Sequence, residues 1–290
     1  MTIKQILVAN DLSPRSKLAL KRAVSLANQH QAHLTAVHVL ESTSWLVDKA
    51  KDAMDRKAPA EKKLRRQLKA AIGKFHIDFS ILVIQGKAIT EVLNAARQIE
   101  ADLIVVGAHG EHFFRDVFLG STTDKLVRQG DFPILVVRKP AKKLYGRVLV
   151  PVDFSDCSRG ALKIALAIAP NAKFRILHAY QHLPLEDEER RMQPDTTVQN
   201  YLPQLKKLAR QDLSSFLEGI DFAAHNIKRQ LEYGYPPAII REAAQKHHSD
   251  LTVVGASGKP DMRHLFLGSV ASHALQELDC DVLVHRMGTA

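Results

Sequence analysis

The sequence predicts an α/β protein built as two tandem doubly wound domains, each a five-stranded parallel sheet with helices on both faces. Three observations carry this. Short apolar, β-rich runs alternate with amphipathic helical stretches, the rhythm of parallel strands joined by helical crossovers. The rhythm occurs twice, with apolar runs and glycines in register at a nearly constant offset. A length of 290 residues suits two domains of roughly 100–200 residues each.

Ile3 to Ala9 reads as the first strand, followed by the loop Asn10-Asp-Leu-Ser-Pro14. From Arg15 to His30, Leu18, Ala19, Ala23, Leu26 and Ala27 share one face, so this segment is an amphipathic helix. Ser13 is a suitable N-cap, with Pro14 at the first helical position. His33 to Leu40 alternates and is the second strand. A polar stretch from Glu41 to Pro59 leads into a helix ending near Lys74, where Leu64, Leu68 and Ile72 lie beneath a basic outer face. Phe79 to Ile84, Asp102 to Val106 and Pro133 to Arg138 complete the strands, with helices over Gly86 to Ile99 and Thr122 to Arg128.

The second half repeats this order. Asp11 matches Asp153 at an offset of 142, and Leu34–Val39 matches Phe174–Ala179 at 140. Gly86, Gly107, Gly120 and Val137-Arg138 match Gly234, Gly255, Gly268 and His285-Arg286, all at 148. The change of about eight residues falls between the second and third strands, where Glu186-Asp-Glu-Glu-Arg-Arg191 and Pro194 mark a polar surface loop. The boundary is the charged linker Lys139-Pro-Ala-Lys-Lys143, giving domains 1–141 and 142–290. So short a linker predicts that the domains pack together.

Composition narrows the class. No apolar run approaches the roughly 18 residues of a membrane span, and the N-terminus enters a strand too soon for a signal peptide. Cys157 and Cys280 lack CxxC spacing and read as reduced thiols, which fits a cytoplasmic protein. The net charge of +10 is uneven: residues 1–141 hold 22 Lys+Arg against 14 Asp+Glu, and residues 142–290 hold 19 against 17. Much of the excess lies on the helix within 56–74, which reads as a solvated face. Without interleaved aromatics it is not expected to bind single-stranded nucleic acid.

The chemistry-bearing feature is a spacing. Asp102-Leu-Ile-Val-Val106 runs into Gly107-Ala-His-Gly110, then nine residues and Gly120-Ser121; Asp250-Leu-Thr-Val-Val254 runs into Gly255-Ala-Ser-Gly258, then nine residues and Gly268-Ser269. An apolar strand opening into glycines, then a Gly-Ser helix start, presents backbone N–H groups suited to an anion. Without Gly-Lys-Ser/Thr it is not a P-loop. In a doubly wound sheet, Asp11, Val39 and Gly107 all lie at or just past carboxyl ends of strands, where ligands bind. His38 and His178 read as structural strand histidines. His247-His248 and His109-x-x-His112 lack partners at metal-site spacing, so no metal held by protein side chains is expected.

These residues resemble the universal stress protein family in its tandem form. The family motif is Gly-x-x-Gly, nine residues, Gly-Ser/Thr, with an Asp after the first strand, and both halves keep each position. The resemblance covers essentially the whole chain and implies an adenine-nucleotide α-hydrolase-like fold that binds ATP with Mg²⁺. It implies a nucleotide held in the first domain by Ala9, Asp11, Val39, Val106, Gly107, Gly110, Gly120, Ser121 and Thr122. In the second domain the matching set is Pro151, Asp153, Ala179, Val254, Gly255, Gly258, Gly268, Ser269 and Val270. In each set the Asp faces adenosine and the glycines and Gly-Ser hold phosphates. Many family members carry a basic residue directly after the second glycine; Lys259 keeps it and Glu111 does not. The second site is therefore expected to bind the triphosphate more tightly, or the first to rely more on Mg²⁺.

The expected function is a cytoplasmic, ATP-binding stress-response switch. The alternatives are a slow ATPase or self-phosphorylating enzyme and a nucleotide-independent scaffold using helix 56–74. Efficient catalysis is disfavoured because neither motif offers a base beyond Asp11 or Asp153, or a basic clamp on the γ-phosphate. The family also implies pairing through the fifth strand, here Pro133–Arg138 with Asp281–Arg286 inside one chain, leaving open a homodimer of chains.

Overall fold

A computed structural model describes residues 2–41, 49–108, 119–181, 198–257 and 267–286. The first half runs β1 (Gln5–Ala9), α1 (Ser16–His30), β2 (His33–Leu40), α2 (Lys49–Ile72), β3 (Phe79–Gln85), α3 (Ala88–Gln98), β4 (Leu103–Gly107), α4 (Ser121–Gln129) and β5 (Ile134–Val137). The second runs β6 (Arg147–Pro151), α5 (Asp156–Ile168), β7 (Lys173–Tyr180), α6 (Val198–Leu217), β8 (Asn226–Tyr233), α7 (Pro236–Lys246), β9 (Leu251–Gly255), α8 (Ser269–Glu277) and β10 (Asp281–His285). No helix among the described residues is long and apolar enough to cross a membrane.

The two five-stranded sheets form one ten-stranded sheet, ordered β3-β2-β1-β4-β5-β10-β9-β6-β7-β8. Neighbours are parallel within each half, and the seam between β5 and β10 is antiparallel. Leu135 sits opposite Leu283, its own counterpart at the offset of 148, so the pseudo-two-fold passes between them. Both sheet faces are covered, which is why the central strands are continuous apolar runs. Alternation sorts them: Leu135, Val137 and Leu283 enter the core under α1, α2, α5 and α6. Ile134, Val136, Val282 and Val284 enter the opposite core under α3, α4, α7 and α8. Each core crosses the seam without interruption.

Two local expectations are adjusted. Helix α2 begins at Lys49 and runs through Pro59, where the polar approach to a shorter helix was expected. Helix α1 begins at Ser16, not at Pro14, yet the Ser13 hydroxyl still accepts from Ser16 N at 3.1 Å. Ser155 repeats this cap on Ser158 N at 3.2 Å. The acidic segment 186–191 and Pro194 lie outside the described residues.

The seam is also tied by side chains. Arg138, just past β5, donates to the carbonyl of Leu275 near the end of α8. Arg286, just past β10, reaches the Arg128 carbonyl at 3.1 Å and that of Val127 at 3.5 Å near the end of α4. Val127 and Leu275 are counterparts, so each domain's arginine caps the other domain's helix C-terminus, where a cation is favoured. One network breaks the symmetry. Asp281, fully buried, accepts from Tyr145 Oη (2.6 Å), Arg22 Nε (3.2 Å), Arg138 N (2.8 Å) and Lys139 N (3.1 Å). Arg22 also bonds the Lys143 carbonyl and stacks over the Tyr145 ring at 4.1 Å. The counterparts of Arg22 and Asp281 are Ile164 and Pro133, so this network fastens the linker once, not twice.

Candidate functional site

In each half the chain leaves the first strand on one side and the fourth on the other. The crevice between β1 and β4, and its repeat between β6 and β9, is the topological switch point of the sheet. Ala9 ends β1 and Pro151 ends β6, with Asp11 and Asp153 two residues further on; Val106-Gly107 and Val254-Gly255 end β4 and β9. Val39 and Ala179 lie two residues beyond the last pairing of β2 with β1 and of β7 with β6.

The separated halves of the glycine motif meet through the backbone. Gly120 N donates to the Ala108 carbonyl at 2.8 Å, and Gly268 N to that of Ala256 at 2.7 Å. These bonds set the starts of α4 and α8 against the ends of β4 and β9. Gly120 and Gly268 are the N-caps, in extended conformation and without a side-chain cap. The first-turn N–H groups of Ser121-Thr122 and Ser269-Val270 therefore have no intrahelical acceptor. A Thr123 hydroxyl bond to the Gly107 carbonyl, at 2.8 Å, braces the first site; its counterpart in the second is Ala271. Gly110 and Gly258, with Glu111 and Lys259, lie outside the described residues.

The glycines have a packing reason as well. A Cβ on Gly255 would stand 3.0 Å from Cys157 C and Ser158 N, so β9 runs flush against the start of α5. A Cβ on Gly268 would stand 3.2 Å from the Ala256 carbonyl oxygen. Reading Gly255 only as a phosphate contact misses that the bare backbone brings strand and helix together.

The aspartate loops are built alike on different supports. Leu12 and Phe154 occupy the left-handed region, with φ of 64° and 67°, a conformation that costs a side-chain-bearing residue energy. In the first domain the Asn10 carboxamide oxygen accepts from Leu12 N at 2.7 Å, and Asp11 Oδ1 from Ser13 N at 3.0 Å. In the second, Asp153 Oδ1 accepts from Ser155 N (3.1 Å) and Ser155 Oγ (2.5 Å), while Phe154 stacks on His178 at 4.1 Å. Both carboxylates thus brace their loops while their residues stay exposed.

His38 and His178, which the sequence marks as structural, prove to position these loops. Each ring Nδ1 lies 2.8 Å from the main-chain oxygen of Asn10 or Val152. Burial holds His38 below its ordinary pKa, with the neighbouring Lys63 and Arg56 acting in the same direction against the Asn10 bond and Asp11. The basic helix therefore presents cations to the first site's mouth, and Gln67 of the same helix donates to the Leu12 carbonyl at 3.1 Å. No sequence spacing announces this, because α2 and the β1 loop meet only in three dimensions. No group of three or more metal-ligating side chains occurs among the described residues.

The comparisons with known proteins agree with this architecture. The universal stress protein family model matches residues 2–138 and again 144–286. A universal stress protein of Thermus aquaticus is 34% identical over 137 residues, 47% of this chain and 98% of its own. One from Mycobacterium bovis is 26% identical over 211 residues, 71% of this chain and 64% of its own. Among solved structures, a universal stress protein from Archaeoglobus fulgidus superposes with a TM-score of 0.69 at 19% identity, covering 99% of this chain and 97% of that one. A second from Pseudomonas aeruginosa gives 0.64 at 20% identity, covering 98% and 93%. With the family model matched once in each half of a single pseudo-symmetric sheet, the chain belongs to the universal stress protein family in its tandem two-domain form.

Proposed function

We propose that this protein binds ATP at both switch points and acts in the stress response as a nucleotide-dependent switch. Membership of the family supports the stress-response role. The observation that carries the nucleotide reading is the back-bonding of Gly120 and Gly268, which sets an uncapped helix N-terminus against the end of β4 or β9, the strand next to the one that an exposed aspartate follows. Unbonded N–H groups of Ser121, Thr122, Ser269 and Val270 suit phosphate oxygens, and the helix dipole favours their charge. Asp11 and Asp153 suit the ribose hydroxyls, and Val39 and Ala179 offer main-chain groups to the base. Magnesium, arriving with the phosphates, neutralises their charge; the chain's own part is to orient the nucleotide through these donors. Its output passes through partners or assembly state, and the protein works in the cytoplasm.

Proline at the first helical position tests this cleanly, because it deletes one N–H where a helix tolerates the loss. ATP titrations should show Ser121→Pro weakening the first site and Ser269→Pro the second, each about tenfold more than the matching Ser→Ala change. Equal affinities for the Pro and Ala variants would remove the helix start from the reading. Nucleotide released by denaturing the purified protein separates a switch, which yields ATP, from a hydrolase, which yields ADP.

A further inference from the structure

The sheet has a second concave feature, at the opposite ends of its strands from the glycine motifs. A cleft of ≈230 Å³ opens where β6, β7 and β8 begin, lined by Arg147, Lys173, Arg175, Asn226, Lys228 and His247, with Val148 and Phe174 between them on their strands. The register explains the clustering. Arg147, Lys173 and Asn226 stand side by side across three strands, and two residues along the same face Arg175 stands beside Lys228. His247 ends α7, which covers that face of the sheet further on.

Four cations share this cleft with little to neutralise them. None of Arg147, Lys173, Arg175 and Lys228 makes an ion pair among the described residues. Their side-chain hydrogen bonds are to neutral groups: Arg147 Nε to the His248 carbonyl at 2.8 Å, and Arg175 Nη1 to Gln230 Oε1 at 2.7 Å. Asp250, just before β9, turns its carboxylate to the backbone N–H groups of Gly146 and Arg147, and Glu232 acts on His247 from β8; against four cations and a histidine these two acids leave an excess of positive charge. At the back, His247 Nε2 is a buried polar atom with no hydrogen-bond partner. Such an atom is costly unless a ligand or water completes it.

The first domain offers the control. At the matching positions it carries Gln5, His33, Thr35, Asp78, Ser80 and Ile99. There His33 Nε2 and the Ser80 hydroxyl satisfy each other at 2.9 Å, and Ile99 packs into the core. The same fold therefore needs no arginine or lysine at this place. The cations are confined to the half of the chain with the smaller net charge.

We propose that this cleft is an anion site particular to the second domain, taking a compact multivalent phosphate such as a diphosphate or a sugar phosphate. Its volume is below the roughly 300 Å³ of drug-sized ligand pockets, which suits a small headgroup. It presents no exposed ring for base stacking. The guanidinium forks of Arg147 and Arg175 and the ammonium groups of Lys173 and Lys228 match phosphate oxygens. His247 Nε2–H completes the set. The free ring is held below its ordinary pKa of 6.5 by burial, with Arg175, Lys246 and Lys228 acting in the same direction and Glu232 against them. A bound anion reverses that field, so binding takes up a proton and tightens as pH falls.

Histidine-selective NMR, with the His247 resonance assigned through His247→Gln, tests the site on the full chain. Inorganic pyrophosphate should shift that resonance saturably. Arg175→Thr/Lys228→Ser, which installs the first domain's residues, should weaken this response at least about tenfold while leaving pyrophosphate responses at His38 and His178 unchanged. Sulfate, which does not titrate in this range, should bind more tightly at pH 5.5 than at pH 7.5. A linear, unsaturable shift, or equal affinity in the double variant, overturns the proposal. If the double variant loses its cooperative unfolding transition, Lys228→Ser alone, at an exposed edge position, decides by the same readout.

Discussion

The two halves share one backbone plan and differ in what fastens each part. In the first, the aspartate loop is held by polar groups: Asn10, Asp11, Ser13 and Ser16 bond one another and the loop backbone. In the second, Val152 replaces Asn10, and the ring of Phe154 lies between His178 and Phe216. The same left-handed turn keeps its aspartate and serine bonds in both halves and is further secured once by the Asn10 carboxamide and once by ring packing. A duplicated fold keeps the geometry its function requires and lets the means of holding it drift. Elements that are not duplicated at all, such as the Asp281 network, then show what the joined molecule needs beyond two copies of one domain.

Breaking that network should have the largest effect. Asp281→Ala leaves Arg22 without its charge partner and Tyr145 without its acceptor, and should cost about 3–5 kcal/mol in urea unfolding. Next come the reciprocal arginines. Arg138→Ala and Arg286→Ala should each cost about 1.5–3 kcal/mol, and the closeness of the two values measures how well the pseudo-two-fold holds energetically. At the proposed nucleotide sites, ATP should bind more tightly to the Asp11→Ala variant, which keeps the second site, than to Asp153→Ala, which keeps the first. The expected margin is about tenfold, or 1.4 kcal/mol, from Lys259 against Glu111. Arg56 and Lys63 beside His38 act against that margin, so Lys63→Ala should widen it.

The smallest effect concerns a pair found only in the second domain. The His285 ring fills the space where a Cβ on Gly160 would stand; the first domain has Leu18 and Val137 there. Burial lowers the pKa of His285 from 6.5. A group whose folded pKa is depressed is bound by more protons when unfolded, so its destabilising effect grows as pH falls below 6.5. The melting temperature should drop between pH 7.5 and 5.5. Gly160→Leu/His285→Val, which transplants the first domain's pair, should flatten that slope, leaving the share due to His30, His38 and His247, all also lowered by burial.

Much of the fold was legible because it rests on local periodicity. Strands such as Leu103–Gly107 are unbroken apolar runs, and the offset of 148 carries the second half. The meeting of Gly120 with the end of β4 at Ala108 is legible in the motif, since strand and helix are close in sequence. What is not legible depends on approach across long separations. Arg138 and Arg286 matched as repeats, yet their helix carbonyls lie in the other domain. The buried role of Asp281 is not legible in the strand Asp281–Arg286, because its counterpart is a proline and its partners are 136 and 259 residues away. The basic cleft is not legible because its cations come from three strands and a helix end. Composition drew attention instead to the basic helix 56–74, where the charges are consecutive.

The antiparallel seam between β5 and β10 has a consequence for assembly. Two separate copies joined along such an edge would part on dilution, with a midpoint set by their concentration. Here the partner edge is tethered at millimolar effective concentration, so pairing does not depend on abundance. Dilution cannot unpair the sites, and a substitution in one half never has to fit against itself across the axis. That release from self-complementarity lets Leu135 and Leu283 keep the symmetry while Pro133 and Asp281 abandon it. With these strand edges used within the chain, those left at the ends of the sheet belong to β3 and β8, and a second chain joining by strand addition would have to do so there.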